Sequence, residues 1–241
     1  MIVNKEVFEL FTEQGTKRYS RVRKKDKIIY GKEKGKDSLL AFSSYLDPKF
    51  DTPWHIKEIA SSLEKMEKRN SDMDRLIVNM PPRHGKSQLI TRLFPAWYLG
   101  RNPSDNVIIL SYSDSKAQRF GRWVRDCIES PNYNKVFPDL SVRSDLRAAD
   151  EWETTKGGLV ISAGLAGGVT GEGADLLIID DPFKNLEQAV SPVIAEKIWD
   201  NYLMVAETRL SPKGIVVIVH TRWTRDDLTG RLLNESEDLV A

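Results

Sequence analysis

The sequence predicts a three-layer α/β domain on a mainly parallel central sheet, and three observations carry that prediction. Five apolar runs of four or five residues, rich in Ile, Leu and Val, are bounded by Gly, Pro, Asp or Ser, as short strands are. Their apolar residues are continuous rather than alternating, which suits strands covered on both faces. Helical patterns lie between the runs, and such alternation builds a sheet with helices on each side. A length of 241 residues with 40% hydrophobic and 29% charged residues suits one large domain with a substantial core.

In chain order the first feature is a charge asymmetry. The formal net charge is +1, yet residues 17–36 hold ten Lys or Arg against two acidic residues. This stretch (KRYSRVRKKDKIIYGKEKGK) is poor in apolar residues, so residues 1–50 read as a basic, solvated arm and lead-in. Such an arm suits nucleic-acid phosphates or an acidic protein, and equally suits a purely solubilising tail. Residues Pro53–Arg69 follow as an amphipathic helix, with Ile56, Ile59, Ala60, Leu63 and Met66 at spacings of three and four and proline in the first turn.

The expected strands are Leu76–Met80, Val107–Ser111, Leu159–Ser162, Leu176–Ile179 and Ile215–Val219. Helices are expected over Gly85–Leu99, Ser113–Glu129, Ser191–Leu210 and Thr224–Leu233. Pro192 opens the third of these and Ser211-Pro212 closes it, while Thr224-x-x-Asp227 resembles a capping box at the start of the fourth. Residues 131–157 match neither pattern and read as an irregular connection. The run Gly164–Gly173 (GLAGGVTGEG) reads as a flexible connection ahead of the fourth strand.

Several classes are disfavoured. Cys127 is the sole cysteine, so neither an internal disulfide nor a cysteine-built zinc site is available. His55, His84 and His220 are widely spaced, which gives a metal-enzyme reading little support. No 18-residue apolar stretch suggests a membrane span, and MIVNKEVFEL lacks the regions of a secretory leader. An intracellular, reduced protein is expected.

The chemistry gathers at strand ends. In LIVNMPPRHGKSQL, Gly85-Lys86-Ser87 stands just after a buried strand, at the start of a helix. A helix N-terminus offers unpaired N–H groups and the positive end of the dipole, which together attract phosphate. Gly85 admits close backbone approach. Lys86 would neutralise β- and γ-phosphate charge, and the Ser87 hydroxyl would ligate Mg²⁺. These are the parts of a Walker A loop, although Met80 stands where the first glycine of that motif usually falls, and Pro81, Pro82, Arg83 and His84 fill the loop. Arg83, His84 and Gln88 complete the candidate nucleotide-contacting set around Gly85, Lys86 and Ser87. A basic turn capping a helix is the competing explanation.

The run ADLLIIDDPF ends a strand in two carboxylates. Asp180 is the candidate Mg²⁺ ligand, and Asp181 the candidate group that orients or deprotonates an attacking water. Ligands of open α/β sheets gather at the carboxyl ends of strands, so both elements belong on one edge. IVVIVHTRW puts His220, Thr221 and Arg222 at a third strand end, where such groups can sense phosphate loss.

The ordered set PWHIKEIASSLE, NMPPRHGKSQL, SYSDSKAQRFGRWVRDCIESPNY, GGVTGEGADLLIIDDPFKN and TRLSPKGIVVIVHTRWTRDDLTGRLL resembles the ATPase domain of tailed-bacteriophage terminase large subunits. That resemblance implies an additional-strand, RecA-like P-loop ATPase over residues 51–233, using ATP and Mg²⁺ to drive double-stranded DNA into a procapsid. It implies Lys86 and Ser87 as Walker A residues, Arg83 as an arginine reaching the γ-phosphate, Asp180 as the Walker B acid, and Thr221 with Arg222 as the coupling motif. Asp181 stands at the position usually held by glutamate, one methylene shorter. Trp54 and His55 fall where the family contacts adenine; a tryptophan anchoring its helix explains Trp54 equally well.

By the same resemblance the partners are DNA, a portal protein and a small terminase subunit, in a ring assembled from domains that are monomeric when isolated. The setting is the cytoplasm of the infected bacterial host, transiently at the procapsid portal. Glu172 occupies a stretch where many relatives carry a basic residue, which leaves Arg119, Arg122, Arg125, Arg143, Arg147 and Arg209 open as arginines acting across a subunit interface. Lys116, Arg119, Arg122 and Arg125 are candidate DNA contacts, and equally suit an exposed helix face or a subunit contact. Residues 234–241 read as the start of a linker toward a nuclease domain that this chain does not contain, so no DNA cleavage is expected. A helicase-like ATPase and a weakly hydrolysing, nucleotide-gated scaffold are the alternative functions.

Overall fold

The computed structural model describes residues 32–69, 73–167 and 171–238. Most of the expected basic arm, and the middle of the glycine run, lie outside the described residues. Helix α1 (Leu39–Leu46) is followed by α2 (Trp54–Glu67) and strand β1 (Arg75–Asn79). A π-helical segment (Gln88–Leu93) then runs directly into α3 (Phe94–Arg101). Next come β2 (Val107–Ser111), α4 (Asp114–Ile128), α5 (Pro131–Val136), β3 (Val142–Arg147) and β4 (Glu151–Thr154). The chain continues through β5 (Leu159–Gly164), β6 (Ala174–Asp180), α6 (Leu186–Ala189), α7 (Pro192–Thr208), β7 (Leu210–His220) and α8 (Leu228–Asp238).

The strands form one seven-stranded sheet in the order β1-β7-β6-β2-β5-β4-β3. The first five in that order are mutually parallel, and β4 and β3 continue the sheet antiparallel. Strand β7 lies between β1 and β6, so an added strand separates the two that carry the Lys86 loop and the paired aspartates. Consecutive residues point to opposite faces of a strand, and the two faces feed two cores. Val107, Ile109, Leu176, Ile178, Val217 and Val219 pack with helices α1 to α5. Ile108, Leu110, Leu177, Ile179, Val216 and Ile218 pack with α7 and α8. This is the three-layer arrangement expected, and it leaves the ends of the parallel strands as one polar edge.

Four local expectations are corrected. Residues 131–157 are not irregular: they hold α5 and the β3–β4 hairpin, which forms no apolar run because VRSDLR is the charged edge strand and EWET alternates outward charges with buried Trp152 and Thr154. The lead-in before residue 51 contains α1, and its Leu39, Phe42 and Tyr45 belong to the first core, as does Phe50. Strand β7 begins at Leu210, five residues before the expected Ile215, in place of a helix end. The last helix extends to Asp238, into the stretch expected to be linker.

The π-helical segment has a local cause. Pro95 lacks the N–H that would donate to the carbonyl of Thr91, and the Phe94 N–H donates instead to Leu89 O, five residues back.

Candidate active site

Parallel register brings four strand ends to one line: Asn79 opposite His220, Val219 opposite Asp180, and Asp180 opposite Ser111. The chain leaves β1 through a loop in which Arg83 and Gly85 both have positive φ, 66° and 81°. Glycine adopts that conformation freely, whereas Arg83 is held there against steric preference. The Leu89 N–H donates to Gly85 O at 3.0 Å, which starts the following helix. Lys86 therefore emerges in the first turn and folds back over the loop.

The Lys86 ammonium is buried and makes three contacts. It donates to Met80 O at 3.2 Å and to Thr221 Oγ1 at 2.9 Å, and lies 3.4 Å from Asp181 Oδ1. Thr221 Oγ1 itself donates to Met80 O at 3.2 Å. Three strand ends, β1, β6 and β7, thus meet on one lysine. Asp181 is also strained, with φ of 51°, and its backbone is clamped on both sides: its N–H donates to Val219 O, and its carbonyl accepts from the Tyr112 N–H.

Asp180 is fully buried. Its Oδ1 accepts from Ser87 Oγ at 3.2 Å, its Oδ2 accepts from the Thr91 hydroxyl, and its carbonyl accepts from Ser111 Oγ at 2.6 Å. Burial pushes the Asp180 carboxyl up to about 6, with the neighbouring Asp181 charge adding to the rise; the Thr91 and Ser87 hydroxyls and Lys86 pull the other way. An under-compensated buried carboxylate with a serine hydroxyl against it is a hard-oxygen donor set, and it fits Mg²⁺ held by few protein ligands beside phosphate oxygens.

These groups open into a cleft of about 360 Å³ lined by Arg83, Gly85, Lys86, Ser87, Gln88, Lys116, Asp181 and Thr221, among others. The remaining predicted residues sort clearly. His84 Nδ1–H donates to Pro82 O at 2.8 Å, and Gln88 Nε2 donates to Asp47 Oδ2, tying the loop to the segment between α1 and α2. Trp54 is 46% exposed at the start of α2, with the His55 ring edge-on to it and His55 also 6.2 Å from the His84 ring; neither Trp54 nor His55 lines the cleft.

Arg222 turns away from the cleft to pair with buried Asp227 at 2.9 Å. Asp227, not Thr224, caps the final helix: its carboxylate accepts from the N–H groups of Trp223, Thr224 and Gly230. His220 is buried toward α8, its Nε2 2.5 Å from Thr229 Oγ1, and burial holds its ring pKa down to about 4.

Four residues went unnoticed in the sequence. Thr91 lies four residues beyond Ser87, a spacing that marks one helix face. Ser111 ends β2 as Asp180 ends β6. Tyr112 and Trp223 line the cleft directly after strand ends.

A family model described as "Terminase large subunit, T4likevirus-type, N-terminal" matches residues 77–238. The chain belongs to the terminase large subunit family. No curated protein matches it. Among solved structures, the large terminase of bacteriophage HK97 matches with a TM-score of 0.58 at 11% identity, over 90% of this chain and 42% of that one. An arginine-to-alanine mutant of the large terminase ATPase domain of Thermus phage P74-26 matches with a TM-score of 0.46 at 17% identity, over 73% of this chain and 67% of that one. The HK97 likeness shows the fold, a RecA-like α/β domain as expected. This terminase chain spans less than half the length of the HK97 protein. Among its described residues no helix is long and apolar enough to cross a membrane.

Proposed function

We propose that this terminase domain binds ATP with Mg²⁺ in the Lys86 cleft, hydrolyses it, and uses the cycle to move double-stranded DNA into a procapsid. The observation that carries this reading is the meeting of Lys86, Asp181 and Thr221, beside the Ser87–Asp180 pair, at one edge of parallel strands. The loop amides ahead of the helix bind phosphate oxygens, and Lys86 neutralises the β- and γ-phosphates while Arg83, held in its strained conformation at the rim, reaches the terminal one. Ser87 and Asp180 hold the metal, which when bound supplies charge neutralisation on the phosphate oxygens. Asp181 orients the attacking water and accepts its proton.

Thr221 carries the coupling. It shares Lys86 with the phosphate site and stands one residue before Arg222, whose partner Asp227 caps α8. Loss of the terminal phosphate frees Lys86, re-forms its bonds to Thr221 and Asp181, and so shifts the segment that sets the start of α8. The partners are duplex DNA, a portal protein, a small terminase subunit and further copies of the chain in a ring, and the reaction takes place in the cytoplasm of the infected bacterium.

The test is steady-state ATP turnover in Mg²⁺, with and without duplex DNA and over a range of protein concentrations. Turnover that rises with DNA and protein, disappears in Asp181→Asn, and leaves the duplex paired supports the motor. Turnover in Asp181→Asn equal to that of the natural sequence would sink the role given to that carboxylate.

A further inference from the structure

Lys116, unlike the exposed Arg119 one turn further along its helix, points inward. Its side chain, 28% exposed, turns into the cleft, where its ammonium sits 3.9 Å from Asp181 Oδ2. The ammonium also lies 5.5 Å from the Tyr112 ring centre and 5.4 Å from that of Phe120, and two aromatic faces limit where it can go. Lys116 occupies the first turn of α4, its N–H donating to the capping Ser113 Oγ. A cation is disfavoured there, because it faces the positive end of the helix dipole. A residue that breaks a local rule beside a candidate site is where function is expected.

The second observation is what Asp181 is doing. Its two carboxylate oxygens face two different lysines, Oδ1 toward Lys86 at 3.4 Å and Oδ2 toward Lys116 at 3.9 Å. Its backbone is fixed by β7 and by Tyr112, so these ammoniums decide where the carboxylate points. A single anion thus stands between two cations on opposite walls of the cleft. A phosphate group is the other anion that satisfies both at once, and it carries more charge than a carboxylate.

We propose that Lys116 is the cleft's triphosphate-sensing cation, exchanging Asp181 for the terminal phosphate of a bound nucleoside triphosphate and so freeing Asp181 to orient water. This rests on the reading of the Lys86 cleft as a nucleotide site. Lys86 reaches both the β- and the terminal phosphate from the loop, whereas Lys116, on the Oδ2 side of Asp181, meets only the terminal one. A diphosphate leaves Lys116 paired to Asp181. Discrimination between the two nucleotides then needs no group from a neighbouring subunit.

The test uses the full chain and two equilibrium dissociation constants, for a non-hydrolysable ATP analogue and for ADP, both with Mg²⁺. Lys116→Met is expected to weaken the analogue about tenfold or more and ADP less than about twofold, and Lys116→Arg to recover most of the loss. Lys116→Gln gives the same readout if the methionine variant folds poorly. Equal weakening of both nucleotides, or of neither, overturns the proposal. If the natural sequence binds neither nucleotide, or Lys86→Ala binds both unchanged, the nucleotide-site reading itself fails and takes this one with it; a selective loss in Lys116→Met with normal ADP binding is the result that stands only if both are right.

Discussion

One sheet has two very different margins. At the carboxyl ends of its parallel strands, charged and polar groups are buried: Lys86, Asp180, His220 and Asp227 are each nearly or fully covered. At the β3–β4 edge a similar density of charge is laid on the surface, where Arg143 pairs with Asp145 and Glu153, and Arg147 with Glu129. Water screens the second set, so each pair adds little. The first set has no water to fall back on, so every member needs its partners, and removing one strands another. Burial, rather than the number of charges, separates the candidate functional edge from the solvated one.

The sharpest way to break this contrast is Lys86→Ala. It removes the cation of the proposed phosphate site and leaves Thr221 and Asp181 without their shared partner, so ATP turnover is expected to fall by at least about 10²–10³-fold. Retention of even a tenth of the activity in a steady-state assay would mean that the buried edge is not where the chemistry happens.

Next in size is Asp227→Ala, which touches no nucleotide. It leaves the N–H groups of Trp223, Thr224 and Gly230 without their acceptor and Arg222 without its counter-ion. Denaturant unfolding is expected to show a loss of about 3 kcal/mol. A loss well under 1 kcal/mol would show that the start of α8 is held by something other than this cap.

Much of this edge was legible in sequence because its physics is local. The apolar runs ending in Asp180-Asp181 and in His220-Thr221 mark strand ends, and Gly85-Lys86-Ser87 marks the turn into a helix. What stayed hidden depends on register and packing. Lys116 reads as one basic residue in a helical row, and only the side-by-side pairing of β2 with β6 carries it to Asp181. Arg222 reads as a partner of Thr221 at a strand end, yet the turn into α8 sends it to Asp227. The β3–β4 hairpin carries no apolar run because β3 is a charged edge strand and β4 alternates charged with buried residues.

Asp180→Asn sharpens the comparison through pH. Burial raises the Asp180 pKa from its ordinary 3.8 to about 6 in the folded chain. Its contribution to stability is therefore fully present below pH 3.8 and lost as pH rises through about 6. Asparagine cannot ionise, so in metal-free buffer above pH 6 the variant should be more stable by about 1–3 kcal/mol, with the gap closing toward pH 4. Chemical unfolding at pH 4 and pH 7.5 measures the difference. A gap that fails to widen with pH would mean that the Ser87 and Thr91 hydroxyls already compensate the charge.

The smallest expected effect belongs to the surface margin and completes the contrast. Arg143→Ala breaks two ion pairs at once, those to Asp145 at 2.5 Å and Glu153 at 2.8 Å, more than most substitutions at the buried edge. Yet the arginine, like Asp145, is open to solvent, and both carboxylates keep access to water when it is removed. No measurable change in the unfolding midpoint is expected at 0.15 M salt, and turnover should be unaffected. A lowered midpoint that recovers in Arg143→Lys would show that this edge is a tight network after all. A fall in DNA-stimulated turnover without any change in midpoint would instead mark Arg143 as a residue that acts on a neighbouring subunit, and would move part of the proposed chemistry onto the margin that looks idle.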